Sequence, residues 1–388
     1  MIDLGTVDEM TASEPAAINN VGQVVGTSSL GSIGCAFRYS NKSMEDIGGE
    51  LSRAFGISQT GTVVGDFAQM EPATPHHAAL FLPSSGTSGK PLDLGVLPGA
   101  LFSRANGVNS NGYVVGYSGS EFDSDSSRAF VWTRATGMLD IGTLGGPYAQ
   151  ATAINDANYT TGNASIARSV GARHAFLYQA WPGYGPVKPM TDLGTLGGIS
   201  SYGTAINMSN HVVGYSLLNN SPGRHAFFYN GGALVDLGSF SPNAFGADYS
   251  VALGINNSDA VVGYSYIQYG GRDMLKQAAF IVYPRMMQMR MQNLNELIMD
   301  RHPLRIGCSR RPESMIEAKS LPVPIMAAMV SSMPFFWTQS PQSLSEGQMS
   351  QIKDEQAVSL SSPRRCLGCV FTDVNSSDSH RPASLRTV

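Results

Sequence analysis

The chain has 388 residues and a formal net charge of −4, with 42% hydrophobic and only 14% charged residues. That is too apolar for a wholly disordered chain, and the absence of any Lys/Arg run leaves no electrostatic footprint for nucleic acid. The longest apolar stretch, "LPVPIMAAMVSSMPFFW" at 321–337, carries three prolines and falls short of the roughly 20 residues of a membrane span.

The first residues, Met1-Ile2-Asp3, show no basic segment followed by an apolar run, so no secretory leader is read there. Instead they begin a repeat. A "D-[LI]-G" motif places aspartates at Asp3, Asp46, Asp93, Asp140, Asp192 and Asp236, 43 to 52 residues apart, with the fullest copies at "DIGTLGG" and "DLGTLGG". A second motif falls between them: "AINNVGQVVGTS", "GISQTGTVVGDF", "GVNSNGYVVGYS", "AINDANYTTGNA", "AINMSNHVVGYS" and "GINNSDAVVGYS". A third completes each unit as "CAFRY", "AALFL", "RAFVW", "HAFLY", "HAFFY" and "AAFIV". A period of 40–50 residues marks a repeat architecture.

In the second motif, Asn19, Ser58, Asn109, Asn155, Asn207 and Asn256 stand where a type I turn begins, because their side chains accept a bond from the turn's own backbone. Three residues later come Gly22, Gly61, Gly112, Asn158, Asn210 and Asp259, types that tolerate positive φ. The pattern predicts a hairpin loop ending in one left-handed residue. A β-branched pair follows, as Val114-Val115 or Thr160-Thr161, and suits a packed strand. A glycine closes each pair, at Gly26, Gly65, Gly116, Gly162, Gly214 and Gly263; a glycine inside a strand marks a bulge or a close approach, here expected between neighbouring units. Each unit therefore reads as four short strands. The fold expected is an all-β propeller of about six four-stranded blades over residues 1–298, as the remnant of seven, followed by an irregular tail over 299–388.

Units that read "HAFLY … DLGTLGG … AIN … VVGYS" resemble the bacterial HAF-type extracellular repeat proteins, over about residues 1–298. The resemblance implies a secreted or surface-exposed protein and brings no catalytic residues with it.

Candidate chemistry is sparse, and no catalytic, cofactor-binding or metal-binding residue is assigned. His174 and His225 begin "HAF", but Cys35 and Arg128 take the same place in other units, so a metal ring is not expected. His76-His77 lies on a proline-flanked loop. The recurring Asp of "DLG" is expected to accept turn N–H groups rather than to bind cations. Glu121, Asp123 and Asp125 lack the glycine and distal Glu of a calcium loop. Tyr117, Tyr215 and Tyr264 follow the strand glycines and could stack on sugar rings or pack between blades. "CLGC" at Cys366 and Cys369 stands alone, with Cys308 remote, and a single CxxC is read as incidental. No nucleophile-elbow, Walker, zinc-helix or dinucleotide motif occurs. The function expected is a non-catalytic extracellular binding or structural module, with a glycan or protein ligand at a propeller face and no cofactor. The alternative is a propeller-type glycan hydrolase or lyase using the loop acids Asp123, Asp125 and Asp248.

After residue 298 the repeat vanishes, and only Gly307, Gly347 and Gly368 of the 43 glycines lie beyond it. Reading the third base of each codon with the next two across Arg310–Lys319 permits A-A-G-I-N-D-R-G-Q, in which the code forces the Asp. The same shift across Ser332–Gln339 permits H-A-F-L-L-D-P, in which Ala, the second Leu and Asp are forced. The hidden Asn lies over Ser314 and the hidden His over Ser332, the same 18-residue spacing as Asn207 to His225. The tail is therefore expected to be out of frame, hiding a seventh unit.

Overall fold

A computed structural model describes residues 3–68, 75–81, 90–120, 126–167, 171–180, 189–219, 221–240, 249–268, 275–284 and 291–294. The tail beyond 294, with Cys308, Cys366 and Cys369, lies outside the described residues, as do Glu121, Asp123, Asp125 and Asp248.

The protein is a β-propeller of six four-stranded antiparallel blades, at residues 12–50, 52–93, 102–140, 145–192, 197–236 and 250–293. Strand order within each blade follows the chain. The fifth blade is representative: Gly197–Ile206, Val212–Leu218, Arg224–Tyr229 and Val235–Asp236. First strands pack against the first strand of the next blade, so they are the innermost.

The asparagine turns form as their residues dictate. φ is +80° at Gly112 and +62° at each of Asn158, Asn210 and Asp259, and the N–H of each returns to the carbonyl of the turn's Asn. Asn109 Oδ1 accepts the N–H groups of Asn111 and Tyr113, at 3.1 and 3.0 Å. The β-branched pairs then split between faces, one member per neighbouring blade. Val114 packs toward the second blade and Val115 toward the fourth. Blade 4 has Thr160 and Thr161 here, fully buried, and both hydroxyls are satisfied by the carbonyls of Ala153 and Phe176.

The strand glycines are crowded by their own blade, not by its neighbour as the sequence suggested. Each first strand bulges opposite the glycine, at Ala105–Gly107 in blade 3 for example. A Cβ on Gly116 would lie 1.9 Å from the carbonyl oxygen of Arg104, and one on Gly214 1.8 Å from that of Tyr202. On the other side of the glycine a buried phenylalanine is paired in register, Phe130 with Gly116, Phe176 with Gly162, Phe227 with Gly214 and Phe280 with Gly263. The "DLG" aspartate is paired in turn with that phenylalanine, as in Phe176 with Asp192. Blade 2 departs, with Ala79 in the phenylalanine's place.

Two glycines of blade 3 separate the two constraints. Gly116→Ala meets a backbone oxygen that cannot withdraw without breaking the strand pair, and should cost at least about 2–3 kcal/mol. Gly112→Val meets open space but a left-handed backbone, and should cost about 1–3 kcal/mol. Asn111→Ala loses two exposed bonds from Nδ2, to the carbonyl of Asp156 at 2.8 Å and to Asn158 Oδ1 at 3.2 Å, and should cost about 1 kcal/mol. Urea midpoints in the order Gly116→Ala lowest and Asn111→Ala highest are expected; equal midpoints for Gly112→Val and Asn111→Ala would contradict the turn.

Candidate functional site

The two ends of the propeller are built from different residues. At one end the turn asparagines join blade to blade. Asn109 Nδ2 donates to the carbonyl of Asn155, Asn155 Nδ2 to that of Asn207, and Asn207 Nδ2 to that of Asn256, at 3.0, 2.7 and 3.0 Å. Asn19 reaches the carbonyl of Ser58 at 3.2 Å. This end is structural, and the same residue does the same work in most blades.

The "DLG" aspartates are structural as well, as expected. Asp93, Asp140, Asp192 and Asp236 each accept the N–H of the glycine two residues on, at 2.7–2.8 Å. They also hold the residue two positions before the third-strand phenylalanine, or before Ala79 in blade 2. His174 Nδ1 lies 2.9 Å from both oxygens of Asp192, His225 Nδ1 2.9 Å from both of Asp236, and His77 Nδ1 3.0 Å from Asp93. Arg128 pairs with Asp140 at 3.0 Å in the same place. Burial alone would raise the carboxyl of Asp236, but the bonds from His225 and Gly238 hold it below the usual range. Cys35 takes this position in blade 1, where burial, then Asp46 and Glu50, push the thiol up to about 11. Burial thus disfavours the thiolate, the form that acts as nucleophile or ligand. Among the described residues no group of three or more His, Cys, Asp or Glu is placed to hold a metal, and no helix is long and apolar enough to cross a membrane.

Blade-specific chemistry sits at the residue after each strand glycine: Thr27, Asp66, Tyr117, Asn163, Tyr215 and Tyr264. In blade 2 this residue is a carboxylate that is fully buried. Asp66 receives Arg53 Nε and Nη2, both at 2.8 Å, and Arg104 Nε of the next blade at 3.0 Å, while His76 Nδ1 lies 3.2 Å away. Burial works to raise its carboxyl, but the hydrogen bonds from His76 and Arg53 and the charges of Arg53 and Arg104 outweigh it, and the group is held low. Arg104 also lies over the rings of Phe55 and Tyr117, 4.7 and 5.7 Å from their centroids. So saturated, Asp66 is a positioning group for two arginines rather than a base.

In blades 5 and 6 the same position is tyrosine. Tyr215 stacks on Tyr202 at 4.7 Å, and the Arg224 guanidinium lies over Tyr215 and over Tyr249 of the next blade, at 4.8 and 4.0 Å. Tyr249, Tyr264 and Tyr266 meet one another at 5.1–6.5 Å. Burial, set first against Arg224, raises the phenols of Tyr215 and Tyr264. Of the three tyrosines singled out by sequence, Tyr215 and Tyr264 join this half-buried cluster, while Tyr117 is buried edge-on against Phe102. Sequence reasoning did not single out Arg224, Tyr202, Tyr249 or Asp66. "VVGDF" against "VVGYS" was the available signal for Asp66.

No family model matches the chain, and no curated protein matches it. Among solved structures the chain is similar to a puromycin-hydrolysing peptidase from Mycobacterium tuberculosis, at 14% identity and a TM-score of 0.48 over 73% of this chain and 45% of that one. It is similar to the β-propeller domain of the Trilobed protease from Pyrococcus furiosus, described as having an open velcro topology, at 9% identity and a TM-score of 0.40 over 74% of this chain and 97% of that one. An acylaminoacyl peptidase is similar at 10% identity and a TM-score of 0.40, over 77% of this chain and 55% of that one. The chain thus spans about half the length of the two whole peptidases. These likenesses concern the fold. The expectation of a non-catalytic binding or structural module is not carried forward: the three similar structures named here are peptidases or part of a protease.

Asp66→Asn should destabilise the protein by about 3 kcal/mol, because two arginines lose a buried counter-charge. The folded carboxyl is held below its ordinary value of 3.8, so its stabilisation is present above that value and is lost as the pH falls through the lowered one. Urea unfolding from pH 7 to pH 2 should show an acid limb in the parent that is shallower in Asp66→Asn; parallel curves would contradict the assignment.

Proposed function

We propose that this propeller belongs to a hydrolytic enzyme acting on glycans, and that the end bearing Tyr202, Tyr215, Arg224, Tyr249 and Tyr264 receives the sugar chain. The observation that carries the reading is this cluster, in which a guanidinium lies between two tyrosine rings. Sugar rings present apolar C–H faces that pack on aromatic rings, and a guanidinium fork suits hydroxyl or carboxylate groups of the same chain. The described residues flanking the acidic segments, Ser120 and Ser126 on one side and Phe240 and Tyr249 on the other, stand at the end of the blades where this cluster lies. Loops on a rigid scaffold are where reacting groups belong. Glycoside hydrolysis needs two carboxyl groups about 5–10 Å apart, and Asp123, Asp125 and Asp248 are the acids assigned to that work. The extracellular setting implied by the repeat resemblance is where polymeric glycans are met.

Release of reducing ends from a panel of neutral and acidic polysaccharides tests the reading. Turnover of at least one polysaccharide is expected. Tyr215→Ala and Arg224→Ala should then raise KM about tenfold, equivalent to about 1.4 kcal/mol of lost binding, with kcat little changed. Asp123→Asn or Asp248→Asn should instead lower kcat. No release from any polysaccharide, or release indifferent to all four substitutions, would defeat it.

A further inference from the structure

One junction differs from the rest. First strands of consecutive blades pack together from blade 1 to blade 6, and no comparable packing joins blade 6 to blade 1 among the described residues. Blade 6 nevertheless carries on its forward face the positions that other blades present to a successor. Val262, Ala279, Ile281 and Leu294 correspond to Val115, Ala129, Val131 and Ile141 of blade 3, which pack on blade 4. They are buried, yet every described member of their cluster belongs to blade 6. Asn256 closes its own turn through Oδ1, at 3.0 Å from the N–H of Ser258 and 2.8 Å from that of Ala260. Its Nδ2, unlike those of Asn109, Asn155 and Asn207, meets no carbonyl of a following blade among the described residues.

Blade 1 presents the complementary half. Asp3 Oδ1 accepts the N–H of Gly5 at 2.9 Å, Ser13 Oγ donates to the carbonyl of Gly5 at 2.8 Å, and the N–H of Val7 donates to Ser28 Oγ at 3.1 Å. The same three contacts join residues 93–97 to Ser103 and Ser118, where blade 2 hands over to blade 3. Residues 3–7 are thus placed as the end of a preceding blade. At four other junctions the serine has a further role: it accepts the N–H of a third-strand alanine, Ala36 on Ser52, Ala78 on Ser103, Ala175 on Ser201 and Ala226 on Ser250. No described residue donates to Ser13 in this way. Val24 and Tyr39, on the rear face of blade 1, are only half-buried, where the matching Val114 and Trp132 of blade 3 are buried.

We propose that three strands of a seventh blade fit between blade 6 and residues 3–5, which supply its fourth strand, and that the shifted reading frame of this protein's own gene encodes those strands. The hidden A-A-G-I-N-D-R-G-Q supplies a turn asparagine whose carbonyl meets Asn256. The hidden H-A-F-L-L supplies two groups that blade 1 awaits. Its His meets Asp3 as His174 meets Asp192, and the N–H of its code-forced Ala reaches Ser13 as that of Ala175 reaches Ser201. Closing the ring gives each of these two faces a neighbouring blade to pack on, and joining the chain ends is how such folds protect their edges.

The coding DNA across Arg310–Gln339 is the first test. An uninterrupted shifted frame reading both motifs is expected; a stop codon or other residues in that frame overturns the proposal. The second is the melting temperature of a chain made with the frame restored ahead of Arg310, beside the chain of the present sequence. The restored chain should melt at least about 5 °C higher, and Ser13→Ala should lower its midpoint at least about twice as far as it lowers that of the present chain. A restored chain that does not fold, melts no higher, or responds to Ser13→Ala no more than the present one overturns the proposal.

Discussion

A single side-chain amide sets the geometry on which the blades depend. The turn asparagine uses its oxygen inside its own hairpin and its nitrogen across the junction, so the turn and the blade-to-blade distance are fixed together. Asn155 shows both halves: Oδ1 accepts from Ala157 and Tyr159, and Nδ2 donates to Asn207 in the next blade. Both groups are buried, and a buried amide left without partners costs about 1–3 kcal/mol. A blade that slid along its neighbour would therefore lose the turn as well as the contact. Blade 2 shows what replaces the amide when it is missing. The Ser58 hydroxyl lies 2.8 Å from that of Thr60 inside the turn, and among the described residues it makes no bond to blade 3. The Asp66–Arg104 ion pair crosses the same junction at the other end instead.

Within a blade the constraint is steric. The bulge in the first strand brings a carbonyl oxygen to where a Cβ would be, which admits only glycine in the second strand. Without a side chain, that glycine leaves room for a phenyl ring on its other side, and the third strand supplies it: Phe176 and Phe227 are fully buried against it. The fourth strand then places its aspartate in register with the phenylalanine, beside the residue two positions before it in the third strand. Gly, Phe and Asp are thus one cross-strand row, which is why three motifs far apart in the chain recur together.

Much of this was legible because it is local. The turn, its left-handed residue and the turn-accepting aspartate are decided within four or five residues, and the structure places all of them as read. The function of the glycine was misread, because a bulge in a partner strand about ten residues earlier leaves no mark at the glycine itself. Pairs such as His225 with Asp236 or Arg224 with Tyr249 join separate strands and follow from register, which a single chain does not spell out. Asp66 is invisible to the shared motifs, since it shows only as "VVGDF" among the "VVGYS" copies. In a repeat protein the informative residue is the one that departs from its own copies.

That principle also separates scaffold from site. At the asparagine end five of six blades carry the same residue, and its partners are the same backbone groups each time. At the other end the position after the strand glycine is threonine, carboxylate, amide or tyrosine according to blade. Packing cannot be the reason for that spread, since the strands and the bulge beneath it are alike in every blade. The variation falls where blade-specific groups meet across junctions: Asp66 with Arg104 between blades 2 and 3, and Arg224 with Tyr249 between blades 5 and 6. A ligand held there, as proposed, would touch two blades at once, and its recognition would depend on the blade-to-blade spacing that the asparagines maintain at the opposite end.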